Sequence, residues 1–219
     1  MTRAARAVLT EAAPPGLDID GLYDELAAAY ATPPRAYHSL DHIADVVSHF
    51  TAVSRAGLWH APREAFLAVL FHDAVYVAGR GDNERKSAEL AAECIARHSP
   101  AHAIDVARVV GLIELTARHG SVEAGSVDGD AALFLDCDMA ILGAEPTAFL
   151  AYERAIRLEY AHVPDALFAQ GRAAFLEKVL GSPRIFLSPY FHERLDSAAR
   201  QNLAGALHAL GGTMAAPLS

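Results

Sequence analysis

Apolar residues recur at three- and four-residue spacing through almost every stretch between one proline or glycine and the next, and this period constrains the chain more than any other feature. It is the repeat of a helix with one buried face, because residues three and four apart stack on the same side of a 3.6-residue turn. Alanine, leucine, glutamate and arginine dominate these stretches, and all four favour helix. Strict alternation, the mark of a half-buried strand, is hard to find. One candidate strand, residues 184–187, is too short to build a sheet alone. The expected fold class is all-α.

The breaks mark out the expected helices. Pro14-Pro15-Gly16 ends an N-terminal helical segment, and Pro33-Pro34 stops a second at about residues 19–30. A third is expected at 39–56, and a fourth begins at Pro62, which suits a first helical turn. The glycine-containing loop 77–82 precedes a fifth at 83–98, with Asp82 or Asn83 as its cap. Others follow at 104–118, 130–142, 146–161, 165–180 and 190–210, the last ended by Gly211-Gly212. No internal repeat or low-complexity linker divides the 219 residues, so one helical domain with a C-terminal extension from about 146 to 219 is expected.

Composition narrows the partners. With 53% apolar and 21% charged residues the balance is that of a soluble globular chain. A net charge of -9 argues against a nucleic-acid polymer or an anionic membrane as partner. It leaves room for a small anionic substrate, because a bound divalent cation can invert the local field. Cys94 and Cys137 sit in apolar helical stretches without zinc-knuckle spacing and read as reduced core residues. With no apolar run long enough for a signal peptide or a membrane span, the cytoplasm is the expected compartment. A homodimer through apolar helix faces is compatible with the pattern.

Of eleven histidines, His49, His60, His98, His102, His162 and His208 lie on polar faces or near helix ends, where an imidazole is commonly solvated or a favourable terminal cation. Three other places are different. In Tyr37-His38-Ser39-Leu40-Asp41-His42 the two histidines are four apart and share a face if the segment is helical. One can then ligate a metal while the other points at what the metal binds. His72-Asp73 follows the apolar run 66–71, and burying an imidazole and a carboxylate there is costly unless they are paired or metal-bound. Asp136 and Asp138 interrupt a third apolar stretch. Being two apart on one helix, at most one of them faces a metal, and the other suits a cap or an ion pair.

The order His42, His72-Asp73, then an aspartate resembles the HD superfamily of metal-dependent phosphohydrolases. The segments Arg35 to His42, Phe71 to Tyr76, Asp82 to Ala88, Phe134 to Gly143, Tyr152 to Tyr160, Gly171-Arg172 and Ala199 to Leu203 are similar to a bacterial subfamily of predicted HD phosphohydrolases. The resemblance implies an HD-type helical bundle with added N- and C-terminal helices and a metal-binding core at about 35–143. It also implies His42, His72, Asp73 and Asp138 as metal ligands, with Asp138 preferred because the family pattern is an aspartate followed by a bulky apolar residue. The Tyr-His-x-x-x-His piece is similar to the cyclic-nucleotide phosphodiesterases, more distant relatives, which implies His38 as proton donor. Some HD proteins place a second-metal histidine where His119 stands.

A mixed nitrogen and oxygen donor set suits one or two ions of Mn²⁺, Fe²⁺, Co²⁺, Ni²⁺ or Zn²⁺, and Mg²⁺ less well. The expected reaction is attack of metal-activated water on a small phosphate ester or nucleotide, with Asp73 orienting the nucleophile. Arg35, Arg157 and Arg172 are candidate phosphate clamps, since the guanidinium fork matches phosphate oxygens. Glu84, with Ser87 three residues on, is a candidate water-positioning group or, equally, a helix-start cap. Two other functions share the site: an HD-fold di-iron oxygenase, which needs more histidine ligands, and a metal-containing binding or regulatory protein without turnover.

Overall fold

The helix α4, Pro62–Phe71, is the axis of the molecule. Every residue from Ala65 to Phe71 is fully buried. A helix apolar on all sides must be surrounded, and α4 packs against α3 (Leu40–Arg55), α5 (Asn83–His98), α6 (Val106–Leu115) and α7 (Gly129–Met139). The computed structural model describes residues 3–17, 19–31, 35–98 and 104–214. The proline stop at 33–34 and His102 lie outside them. Among the described residues all regular structure is helical.

α1 (Arg3–Ala12) packs on α3, and α2 (Asp20–Ala31) packs on α5. α8 (Pro146–Glu159), α9 (Asp165–Gly181) and α10 (Pro189–Met214) complete the chain. α8 and α10 meet the 3-10 turn Ala140–Gly143 that follows α7, and α9 lies on α10. No helix among the described residues is long and apolar enough to cross a membrane.

One carboxylate sets the alignment of α4 with α7. The residue before α4 is Ala61, which has no capping side chain. Asp130, in the first turn of α7, accepts from the backbone N–H of His60 at 2.9 Å and of Ala61 at 2.7 Å instead. Orphan N–H groups at a helix start need such acceptors. The two helices therefore start together, run in the same direction and have nearly equal lengths. Their C-terminal ends arrive side by side, carrying His72-Asp73 and Asp138.

Several boundaries differ from the sequence expectation. Residues 184–187 form no strand. Their region's donors go to carboxylates, with Ile185 N–H on Asp196 and Leu187 N–H on Asp136. The expected helices at 104–118 and 130–142 each finish in a 3-10 turn, a common tightening of the last turn. Gly211-Gly212 does not end the last helix, which continues to Met214. Gly211 is not among the glycines with positive φ, so no left-handed cap forms there.

Gly143 is where α10 comes closest to the end of α7. A Cβ at this position would stand 2.7 Å from Leu195 Cβ and 3.0 Å from Leu195 O. The backbone oxygen cannot swing away as a side chain can. Gly143→Val is expected to lower stability by about 1–3 kcal/mol through overpacking, read as a fall in the thermal midpoint.

Candidate metal centre

Three helices each bring a part of one cluster. Ser39 caps α3, its hydroxyl accepting from Asp41 N–H at 3.3 Å. That start turns His42 inward beside Ile43, Val46 and Val47, and leaves His42 only 4% exposed. The apolar run of α4 carries His72 to 1% exposure at its end, with Asp73 next to it. Asp138 comes from the last turn of α7.

The donor atoms converge. His42 Nε2 and His72 Nε2 are 3.3 Å apart. Asp73 Oδ2 lies 3.5 Å from the first and 3.1 Å from the second. Asp138 Oδ1 lies 3.2 Å and 3.3 Å from the same two atoms. One donor atom from each of the four residues falls within 4.8 Å of all the others. Donors about 2.1 Å from a common ion stand about 3.0 Å apart at right angles and about 3.4 Å apart in a tetrahedron. The observed separations are those of a ligand set. His72 Nδ1 donates to Val69 O at 2.9 Å. This fixes the tautomer and leaves the lone pair of Nε2 aimed at the centre, as in metal-bound histidines.

Electrostatics agrees with the geometry. Burial alone would depress the pKa of both imidazoles, but Asp138 and Asp73 overcome it and raise His42, and raise His72 well above the ordinary value. Burial would likewise raise the two carboxylates. His72 chiefly, with further imidazoles, holds both well below the usual range. The group is thus a nest of opposite charges that a cation can enter by displacing protons.

His119 adds a fifth member at the edge. Its Nε2 is 2.8 Å from Asp138 Oδ2, the oxygen facing away from the other three residues. His49, His60, His98, His162 and His208 take no part in the cluster.

Asp136 faces elsewhere. Its carboxylate accepts from Leu187 N–H, Ser188 N–H and Ser188 Oγ–H at 2.6–2.7 Å, closing the turn into α10. Burial raises its pKa to about 6 against these donors. Asp136→Ala is expected to cost about 1–3 kcal/mol by stranding the donors, while leaving Mn²⁺ binding intact. A folded pKa above the ordinary 3.8 means that the carboxyl contributes most below that value and loses its contribution as pH rises through about 6. Melting curves of the two proteins should therefore draw closer between acidic and alkaline buffers.

A cavity of about 490 Å³ opens beside the cluster, lined by Asp138 and His119 at one end and by His38, four tyrosines and several apolar residues elsewhere. His38 is not on α3, as equal helical facing with His42 requires. It lies in the turn ahead of the Ser39 cap. The two rings still stand 6.0 Å apart between centroids. Glu159, at the end of α8, holds this turn. Its Oε1 accepts from the backbone N–H of Ala36, Tyr37 and His38 at 2.8–3.1 Å, and its Oε2 is 2.6 Å from His38 Nδ1. Tyr76 stacks on the imidazole with ring centroids 3.9 Å apart. Neither Glu159 nor Tyr76 is singled out by spacing in the sequence.

The remaining candidates are placed differently from expectation. Arg35 is no phosphate clamp: its guanidinium donates to the carbonyls of Ala29, His38, Asp73 and Ala74 at 2.5–3.1 Å. Arg157 donates to Tyr160 O and Val163 O and pairs with Asp165, closing the turn between α8 and α9. Arg172 does line the cavity, but its guanidinium is taken by Glu153 and by Tyr152 Oη. Glu84 stands half-buried in the first turn of α5, outside both the cluster and the cavity wall. Ser87 on the same helix bonds both N–H and C=O of Val75 and so pins the chain just past Asp73.

No family model matches the chain, and no curated protein or solved structure does either.

Proposed function

We propose that this protein is a metal-dependent phosphohydrolase of the HD type acting on a small phosphate ester. The observation that supports it most is the convergence of His42, His72, Asp73 and Asp138, beside a cavity whose wall includes Asp138 and His38. Two imidazoles and two carboxylates would hold Mn²⁺, Fe²⁺, Co²⁺, Ni²⁺ or Zn²⁺ with positions to spare. Such an ion, when bound, supplies a water of lowered pKa and polarises a phosphoryl oxygen.

The chain's own groups divide the remaining work. Asp73 offers one oxygen to the cluster and can take a proton from the attacking water on the other. His38, whose ring is 6.0 Å from that of His42 and lines the cavity, is the proton donor to the leaving oxygen. Its Nδ1 is committed to Glu159, so Nε2 is the atom that transfers the proton. Stacking by Tyr76 keeps the ring in that orientation. The apolar walls exclude water and strengthen every charge interaction inside.

A second reading, a two-iron centre reacting with dioxygen, draws support from His119, whose contact with Asp138 would let that carboxylate bridge two ions. One metal per chain and no iron–oxo absorption band would dismiss it. For the main proposal, the full chain is purified with Mn²⁺ or Co²⁺ and screened against phosphate esters. Turnover that falls about a hundredfold or more in His38→Ala and in Asp73→Ala is the expected result. Equal residual activity in wild type and Asp73→Ala would sink it.

A further inference from the structure

The walls of the cavity say what kind of ester it takes. Away from the cluster they are aromatic and aliphatic, with Tyr76, Tyr160, Ile156, Phe168 and Phe175 among the lining residues. The charged residues lining it, among the described residues, are Asp138 and His119 at the cluster, His38 and Arg172. His38 Nδ1 is bonded to Glu159 and the Arg172 guanidinium to Glu153, so neither is a free cation in the wall. Arg35 and Arg157 spend their donors on backbone carbonyls and on Asp165. A second phosphate or a carboxylate on the ligand would therefore be desolvated without a cationic partner, which is costly. A hydrocarbon or aromatic body would bury its surface there at a gain. The volume of about 490 Å³ falls in the range of pockets that enclose a ligand of two or more rings.

Resting on the phosphohydrolase reading of the same site, we infer that the substrate is a monoester with a single phosphoryl group on an uncharged, largely apolar or aromatic alcohol. Diphosphates, triphosphates and sugar acids are disfavoured, because no free cation lines the cavity among the described residues. Hydrolysis breaks the bond from phosphorus to the alcohol oxygen and forms one to the water oxygen, releasing phosphate and the neutral alcohol.

Gly171 provides a test that leaves the chemistry untouched. It lines the cavity on α9, is exposed, and has open space where its Cβ would stand. Phenylalanine there removes volume from the body-binding part without touching the cluster or His38. With the Mn²⁺-loaded full chain, calorimetry compares 2-(1-naphthyl)ethylphosphonate with methylphosphonate, whose P–C bonds are not hydrolysed. The naphthyl probe is expected to bind at least about tenfold more tightly, and Gly171→Phe to erase that advantage while methylphosphonate binding is unchanged. Turnover is compared on 2-(1-naphthyl)ethyl phosphate, ethyl phosphate and 3-phosphoglycerate, all esters of alkyl alcohols. The naphthyl ester is expected to lead in kcat/KM by at least about tenfold, with 3-phosphoglycerate last.

Equal binding of the two phosphonates, or a preference for 3-phosphoglycerate, overturns the assignment even if esters are turned over. Absence of turnover on all three esters, with the naphthyl preference and its loss in Gly171→Phe intact, instead overturns the hydrolase reading and leaves the ligand class standing.

Discussion

Alanine in place of His72 is expected to remove metal binding and turnover together and to weaken the metal-free fold. His72 Nε2 lies within 3.1–3.3 Å of Asp73, Asp138 and His42. Its ring is 1% exposed. Without it two buried carboxylates lose the imidazole that does most to hold them ionised. Breaking a buried pair in this way costs on the order of 3–5 kcal/mol. The second part of the result is the response to metal. Mn²⁺ at a hundred times its dissociation constant should stabilise the natural chain by about 2.7 kcal/mol and the variant by nothing measurable. Since Asp73 and Asp138 keep His42 and His72 protonated beyond their ordinary range, the metal must displace those protons, and the stabilisation should grow as pH rises. Thermal melts with and without Mn²⁺, together with metal content by mass spectrometry, decide the matter. A variant that keeps both the ion and the thermal response would show that the cluster is not the binding centre.

Glu159→Gln should have the next largest effect, through a different route. The carboxylate serves four donors, three from the backbone of residues 36–38 and one from the ring of His38. A neutral amide keeps one good acceptor and points two N–H groups at a place that needs none. Turnover is expected to fall about a hundredfold because the His38 ring loses its fixed tautomer and direction, while Mn²⁺ binding stays near that of the natural chain. Burial opposes ionisation of Glu159, but the His38 ring and the backbone N–H groups of Tyr37 and His38 outweigh it and bring its pKa from 4.5 to about 2. A depressed folded pKa means stability that is full above 4.5 and lost as pH falls through about 2. The gap between the natural chain and the variant, on the order of 2–3 kcal/mol at neutral pH, should close over that acidic window. A gap that stayed constant down to pH 2 would mean that the carboxylate's charge is not what holds the turn.

These two residues also show what could be read from the chain and what could not. His72-Asp73 stands out because polar groups end an apolar helix that has nowhere to go but the core, so spacing and hydropathy alone mark it. Spacing separates Asp138 and Asp136 only as a pair of different facings, the preference for Asp138 coming from the family resemblance, and the turn before α10 shows that Asp136 is the one spent on backbone N–H groups. Glu159 carries no such mark. It is 121 residues from His38, at the end of a helix whose other acid, Glu153, is committed to Arg172. The arginines misled for a related reason. A guanidinium that serves carbonyls or a neighbouring acid looks, in a sequence, the same as one that waits for phosphate. The helices themselves were legible almost throughout, since their period and breaks are local; the exception at Gly211 arises where a glycine keeps ordinary helical angles.

Arg35 has a consequence for how far the chain can vary. It fastens the backbone at Ala29 and His38 to the backbone at Asp73 and Ala74, and all four of its acceptors are main-chain oxygens. Every amino acid has such an oxygen. The link therefore asks nothing of the side chains at positions 29 and 74, only that the backbone follow the same path and that an arginine stand at 35. Substitutions around it are free to drift while the spacing between His38 and Asp73 is inherited unchanged, and even a lysine, with one nitrogen in place of a planar fork, would break that inheritance.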